Sequence, residues 1–221
     1  MDLRTALVEG QFELRYQPLV NLERNAICGL EALLRWRHPT RGTVAPAEFV
    51  PLAEENGLIV PIGAWVLRQA CLDAAELPGS IKIAVNLSAV QLRNRQLVET
   101  VLSALAASGL PAQRLELEIT ESVLLENSEA TLQTLRTLRE LGVRIALDDF
   151  GTGYSSLGYL RRFPFDKIKI DRCFVADLSA SAQGPAALLR ALAGLGSSLG
   201  MITTAEGVET SERVQRVRAR V

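Results

Sequence analysis

The feature that most limits the fold of this chain is the alternation of short, β-branched apolar runs with longer amphipathic segments. Seven runs have the composition of strands: FELRYQPL, AICGLEALLRW, IKIAVNLS, RLELEITE, VRIALDDF, FDKIKID and MITTAEGV. Most are roughly 20 to 35 residues apart, and helical patterns fill the intervals. This order is typical of parallel βα units, and so many units in series favour an α/β fold of the TIM-type (β/α)8 barrel class over a short open sheet.

Two sets of apolar residues recur at helical spacing and predict helices between the strands. They are Ile62, Val66, Ala70 and Ala74, after Pro61, and Leu132, Leu135, Leu138 and Leu141, after Ser128. We expect Ser128 to cap the second helix at its N-terminus and Gly142 to end it.

The chain is long enough to form one large domain. Its 221 residues are 48% hydrophobic, and no linker interrupts the βα pattern, so residues 1–221 are predicted to be a single domain. Seven strands are one fewer than a closed barrel of this type contains, and the sequence ends at SERVQRVRARV. The last βα unit of the barrel is therefore expected to be missing.

Composition excludes several classes of function. Lys and Arg number 24 against 25 Asp and Glu, so the chain lacks the basic excess that drives binding to DNA or RNA polymers. Cys28, Cys71 and Cys173 are odd in number and widely spaced, which indicates neither a disulfide framework nor a zinc site. The sequence contains neither an apolar run of about 18 residues nor a secretory signal, so no membrane segment is predicted and the cytoplasm is expected.

Oxygen-bearing side chains collect where the predicted strands end. Because chemistry in a TIM-type barrel gathers at the carboxyl ends of its strands, these residues are the candidates for a site. They are Glu31, Asn86, Glu118, Glu121, Asp148, Asp149, Lys169, Asp171, Glu206 and Glu209. Each has a structural alternative: Asp171 and Glu121 could cap helices, and Lys169 could face outward, since it alternates with isoleucines.

Taken together, the acids indicate a metal site. Carboxylates that share one barrel mouth repel one another unless a cation lies among them. Oxygen ligands without histidine or cysteine favour Mg²⁺ or Mn²⁺ over zinc, and a cluster this rich could hold two ions about 3.5 to 4 Å apart, as in phosphodiester hydrolysis. Asp148 and Asp149 would then serve neighbouring ligand positions.

Six motifs carry a resemblance to a known family. They are Glu31-Ala32-Leu33 within GLEALLRWRHP, then VNLS, LEITES, LDDFGTGYSSL, KIKIDRCFV and AEGVET, in this order from about Leu14 to Thr210. The chain resembles the EAL family of cyclic di-GMP phosphodiesterases. The opening MDLRTALVEGQFELRYQPLV is also similar to the junction at which EAL modules follow a GGDEF domain. This similarity implies an upstream GGDEF or sensor domain in the parent protein. Members of the family commonly dimerise near the loop after Asp149, so the resemblance also implies a homodimer.

The resemblance implies a barrel that binds cyclic di-GMP at the strand carboxyl ends and hydrolyses it to linear pGpG with two divalent ions, Mg²⁺ or Mn²⁺. It assigns metal ligation to Glu31, Asn86, Glu118, Asp148, Asp149, Asp171 and Glu206. It assigns the attacking water to Lys169, with support from Glu209, and contacts with the ligand to Leu33 and Arg35. Glu121 and the DFGTGYSS segment would couple metal occupancy to dimerisation.

One departure from the family pattern leaves a second function open. EAL domains continue past AEGVET to a strand with a QGY-type motif, and loss of that strand would leave an open barrel edge and remove a site residue. The alternative is therefore a catalytically impaired EAL domain that acts as a cyclic di-GMP receptor or an interaction module. The presence of every acid in the motifs favours the enzyme.

Overall fold

The computed structural model describes residues 3–121, 123, 129–151, 160, 162–176 and 183–218. For residues 183–186 it describes the backbone alone. Its strands are β1 (Phe12–Asn21), β2 (Ala26–His38), β3 (Gly42–Val44), β4 (Lys82–Asn86), β5 (Leu115–Thr120), β6 (Arg144–Phe150), β7 (Lys167–Ile170) and β8 (Ile202–Ala205). Its helices are α1 (Leu3–Val8), α2 (Pro46–Glu55), α3 (Ile59–Ala75), α4 (Ala89–Leu92), α5 (Leu97–Ser108), α6 (Glu129–Glu140), α7 (Cys173–Ala176), α8 (Gln183–Ser198) and α9 (Ser211–Arg218), and a short 3-10 helix spans Ala112–Arg114. All seven predicted strands are present, and β3 is an additional one.

The chain divides into two compact units. The first unit contains residues 1–117 and 129–143, and the second contains residues 118–128 and 144–221, so β5 contributes residues to both.

In the first unit, β1 and β2 form an antiparallel hairpin, with Tyr16 opposite Ala32. The parallel βα pattern did not predict this pair, because only residues 22–25 separate the two strands and no helix fits between them. Asn25 turns the chain with a φ of 50°, and Asn21 Oδ1 accepts a hydrogen bond from the Arg24 amide at 2.8 Å. On its other side, β2 pairs with β3 and, in parallel, with β4.

Helices of the first unit bury the faces that the sequence predicted. Ile62, Val66, Ala70 and Ala74 are all buried on α3. Arg114 binds carbonyls at and beyond the C-terminal end of that helix. Its guanidinium donates to the carbonyls of Ala74 at 2.7 Å, Ile81 at 2.8 Å, Pro78 at 3.2 Å and Leu77 at 3.3 Å. Carbonyls at and just beyond a helix C-terminus lack partners within the helix, so this side chain satisfies groups that would otherwise need water.

An aromatic cluster packs around Phe12 at the start of β1. Its ring centroid lies 6.0 Å from Trp36, 5.8 Å from Phe49 and 6.3 Å from Trp65. Trp36 and Phe49 meet edge to face at 5.6 Å, an arrangement that aromatic pairs favour. The cluster joins β1, β2, α2 and α3 into the core of the first unit.

The predicted second helix is α6. Leu132, Leu135 and Leu138 are buried on it, whereas Leu141 lies just beyond its end and is 36% exposed. Gly142 has a φ of 93°, which confirms it as the residue that ends the helix. The predicted cap, Ser128, lies outside the described residues.

The second unit is built on three parallel strands, in which β7 lies between β6 and β8. All four residues of β7 are buried. Asp166 joins β6 and β7 just before β7 begins, since its carboxylate accepts from the Ile145 amide at 3.0 Å and its own amide donates to the Ile145 carbonyl at 2.8 Å. Within the described ranges, no helix has both the length and the apolar character needed to cross a membrane.

Candidate active site

A β-bulge in the second unit places two aspartates side by side. The pairing of β6 with β7 runs from Leu147 opposite Ile168 to Phe150 opposite Ile170, so Asp148 and Asp149 together face a single residue of β7. Asp149 adopts the left-handed conformation, with a φ of 54°, which is uncommon outside glycine. In a regular strand, adjacent side chains point to opposite faces, and the bulge removes that alternation.

The bulge brings Asp148 and Asp149 together with Glu206, which follows β8. One carboxylate oxygen from each of the three residues lies within 4.8 Å of the others. We call Asp148, Asp149 and Glu206 the acidic cluster. The prediction that β6 delivers adjacent aspartates to one acidic site therefore has a physical basis in the backbone.

Lys169 lies among the carboxylates on β7. Its ammonium nitrogen is 2.7 Å from Glu118 Oε2, 3.1 Å from Asp148 Oδ2 and 2.8 Å from Glu206 Oε1. Lys169 is 1% exposed, so the outward-facing alternative is wrong. The alternation of lysine with isoleucine was misleading, because both faces of β7 are buried.

Negative charge exceeds positive charge at this site. Burial raises the pKa of the Asp149 carboxyl, and the nearby Asp148 and Asp171 carboxylates raise it further, while Lys169 and Arg172 oppose them. Three carboxylates, those of Glu118, Asp148 and Glu206, contact one lysine, and the Asp149 carboxylate lies beside two of them. The oxygen-only donor set and this surplus charge both fit a hard divalent cation such as Mg²⁺ or Mn²⁺.

Asp171 follows β7 and caps the short helix α7, as one of the alternatives predicted. Its Oδ1 accepts a hydrogen bond from the Cys173 amide at 2.9 Å. Hydrogen bonds from the Cys173 side chain and backbone lower the pKa of the Asp171 carboxyl. Partial burial and this carboxylate raise the pKa of the Cys173 thiol to about 11. Asp171 is thus held as a charged acceptor, and its role as a metal ligand stays a prediction.

Glu121 follows β5 and is buried. Its Oε2 lies 3.4 Å from the Gly151 amide, and its Oε1 is buried without a hydrogen-bond partner among the described residues. Residues 152–159, which include most of the DFGTGYSS motif, and the SVLLEN segment apart from Val123 lie outside the described residues. The structure therefore brings Glu121 to the first glycine of that motif, and its coupling role stays a prediction.

The predicted site residues of the first unit share one region of β2 and β4. Glu31 lies opposite Ala84 in the parallel pairing of these strands, and Asn86 Nδ2 donates to Glu31 Oε1 at 3.0 Å. Glu31, Leu33 and Arg35 occupy alternate positions of β2 and so share a face, and all three are half-buried.

Two further residues lie after β8. Glu209 was predicted to support the site around Lys169; its side chain is 80% exposed and lies 3.6 Å from Arg213 of α9, and its supporting role stays a prediction. Arg213 was not predicted, because an arginine in an amphipathic C-terminal helix has no distinctive signal in a single sequence.

Comparison with known proteins identifies the family. The family model described as "EAL domain" matches residues 1–220. The chain is 56% identical over 219 residues to the uncharacterized protein y4lL of Sinorhizobium fredii, covering 99% of this chain and 26% of y4lL. It is 46% identical over 221 residues to the cyclic di-GMP phosphodiesterase NbdA of Pseudomonas aeruginosa, covering 98% of this chain and 28% of NbdA. The chain therefore spans about a quarter of the length of these curated relatives.

A solved structure of the PaMucR phosphodiesterase in a c-di-GMP complex is similar over nearly the whole chain. The TM-score is 0.92 at 44% identity, and the match covers 99% of this chain and 90% of PaMucR. EAL structures are TIM-like barrels, so the predicted α/β barrel class is confirmed. The motifs, the fold and the family model agree, and the chain belongs to the EAL domain family.

Proposed function

We propose that this chain is a metal-dependent phosphodiesterase that hydrolyses cyclic di-GMP to linear pGpG. The observation that carries the proposal is the acidic cluster with buried Lys169 beside it, in a chain of the EAL family. Two relatives support it: NbdA is named as a cyclic di-GMP phosphodiesterase, and the PaMucR phosphodiesterase was solved in a c-di-GMP complex. The chain covers a single EAL domain in this proposal, since the family model matches residues 1–220.

The proposed cofactor is a pair of divalent ions, Mg²⁺ or Mn²⁺. Their ligands are assigned by the resemblance as Glu31, Asn86, Glu118, Asp148, Asp149, Asp171 and Glu206. The acidic cluster supports this assignment, because three of these carboxylates already lie within 4.8 Å of one another. The chemistry supplied by divalent ions at such a site is neutralisation of the scissile phosphate and a lower pKa of bound water.

Lys169 is assigned to positioning in this mechanism. Its ammonium group has three N–H donors and three carboxylate neighbours, so it fixes Glu118, Asp148 and Glu206 relative to one another. The resemblance assigns the positioning of the attacking water to the same residue. The water oxygen gives up a proton and bonds to phosphorus, the bond from phosphorus to the 3′ oxygen breaks, and the 3′ oxygen takes up a proton to become a hydroxyl. The product then carries the 5′ phosphate of pGpG.

The remaining assignments concern the substrate and partners. Arg35 would pair with a phosphate of the dinucleotide and Leu33 would contact it, while Glu209 would support the site. Glu121 would couple metal occupancy to the DFGTGYSS segment and to a homodimer. The resemblance also supports an upstream GGDEF or sensor domain and a cytoplasmic location.

A single assay tests the proposed activity. The purified chain is incubated with cyclic di-GMP and Mn²⁺, and pGpG is measured by chromatography beside Glu31→Ala and Cys71→Ala variants. We expect Mn²⁺-dependent pGpG from the unchanged chain and from Cys71→Ala, and none from Glu31→Ala. Binding of cyclic di-GMP without pGpG would reject the enzyme and indicate a receptor, and wild-type rates in Glu31→Ala would reject the metal assignment.

A further inference from the structure

We infer that Arg213 is a positioning residue, which acts from α9 on the loop that carries Glu206 to the acidic cluster. This loop comprises residues 206–210 between β8 and α9, and we call it the β8–α9 loop. The inference rests on the proposed function, because the reaction that Arg213 would support is the proposed one. The first quantity measured to test it is the affinity for Mn²⁺, which does not depend on turnover.

The beginning of the β8–α9 loop is attached to β7. The Glu206 amide donates to the Ile170 carbonyl at 3.0 Å, and the Glu206 carboxylate lies 2.8 Å from the Lys169 ammonium. Glu206 thereby enters the acidic cluster at the first residue of the loop. A change in the path of the loop would move this carboxylate directly.

Arg213 of α9 binds the middle and the end of the β8–α9 loop. Its Nη1 donates to the Gly207 carbonyl at 3.0 Å and lies 3.6 Å from Glu209 Oε2. Its backbone amide donates to Thr210 Oγ1 at 3.2 Å, so the same residue also takes part in the start of α9. One arginine thus contacts three of the five residues of the loop.

The bond to Gly207 matters because glycine has the widest backbone freedom of any residue. Gly207 has a φ of 69°, and a Cβ atom at this position would lie 2.6 Å from Arg172 Cβ. The loop therefore passes close against the residue that follows Asp171. Arg213 fixes the carbonyl of the most adaptable residue in the loop, at the point of closest approach.

The test compares Arg213→Ala with Arg216→Ala, the matched control on the same helix. Arg216 pairs with Glu212, and its side chain is 26% exposed, close to the 31% of Arg213. Mn²⁺ affinity is measured by calorimetry, and kcat and KM for cyclic di-GMP are measured at low and saturating Mn²⁺. We expect Arg213→Ala to bind Mn²⁺ about tenfold more weakly, the lower end for residues that support metal ligands. Its kcat should fall at low Mn²⁺ and recover at saturation, with KM unchanged.

Each result decides the inference. Equal Mn²⁺ affinity in Arg213→Ala and Arg216→Ala would overturn it, as would a loss of turnover that saturating Mn²⁺ does not restore. If Arg213→Ala does not fold, Arg213→Gln replaces it under the same criteria. If the unchanged chain binds Mn²⁺ but yields no pGpG, the proposed function fails and the affinities still decide the role of Arg213. If the unchanged chain binds no Mn²⁺, the inference is overturned.

Discussion

Arg114 in the first unit and Lys169 in the second are both cations surrounded by several acceptors, but their acceptors differ in charge. Arg114 donates to four neutral backbone carbonyls around the end of α3. Lys169 lies against three carboxylates. Neutral acceptors are satisfied by one cation, whereas the carboxylates leave a surplus of negative charge that favours a further cation. The difference indicates that surplus charge distinguishes a functional site from a structural contact.

The largest effect is expected from Asp148→Ala, which removes a carboxylate shared by the acidic cluster and Lys169. Turnover of cyclic di-GMP should fall by about a thousandfold or more, since loss of a key catalytic group commonly costs that much. The measurement is the rate of pGpG formation in saturating Mn²⁺. A variant that keeps wild-type rates would place the acidic cluster outside the reaction.

Lys169→Met should lower turnover by about a hundredfold and strengthen Mn²⁺ binding. Removal of the ammonium leaves Glu118, Asp148 and Glu206 without their shared cation, so a bound metal ion gains attraction and the metal-free protein loses stability. The rise in melting temperature on addition of Mn²⁺ should therefore exceed that of the unchanged chain. Lys167→Met is the control, because it removes a buried lysine from the same strand. An equal rise in melting temperature with Mn²⁺ in both variants would contradict a metal site at the carboxylates around Lys169.

Arg114→Ala should destabilise the chain without changing the active-site chemistry. The loss of hydrogen bonds from a charged donor to mostly part-buried carbonyls costs about 3 kcal/mol, and this lowers the melting temperature by about 6 to 12 °C for a chain of this size. Turnover per folded molecule should stay at the wild-type value. Arg136→Ala, at an exposed position of α6, provides the control for loss of a helix arginine. A fall in turnover that exceeds the loss of folded protein would contradict the structural role.

Asp149→Asn should have the smallest effect, and it should raise the melting temperature where Arg114→Ala lowers it. The folded-state pKa of Asp149 is raised, so its ionised form destabilises the fold above that pKa, and the destabilisation is relieved as the pH falls. At pH 7 without metal, the melting temperature of Asp149→Asn should therefore exceed that of the unchanged chain by a small amount, and the difference should shrink in acid. Thermal melting in a chelator measures it. Asp166→Ala should instead lower the melting temperature, because it removes the acceptor of the Ile145 amide.

The elements of the fold were predictable because they depend on local periodicity. The apolar faces of α3 and α6 and all seven strand runs follow directly from residue spacing. The β1–β2 hairpin was not predicted as such, since a strand run does not reveal the direction of its partner. The three-residue strand β3 was missed because so short a run has no detectable period.

The site was predictable in its residue types but not in its geometry. The motifs indicated Asp148, Asp149 and Glu206 as neighbours, but the bulge that aligns the two aspartates depends on their pairing with β7. The orientation of Lys169 was ambiguous for a related reason, because burial on both faces of β7 comes from distant parts of the second unit. Arg213 acts through a backbone carbonyl, and such a contact leaves no trace in side-chain patterns.

Both tryptophans of the chain, Trp36 and Trp65, belong to the aromatic cluster around Phe12 in the first unit. Their fluorescence therefore reports on one unit, whereas far-ultraviolet circular dichroism records the helices of both. Coincident denaturation curves from the two signals would mean that the units unfold as one cooperative body. A circular dichroism transition that precedes the fluorescence transition would mean that the second unit, which contains the acidic cluster, melts while the aromatic core of the first remains intact.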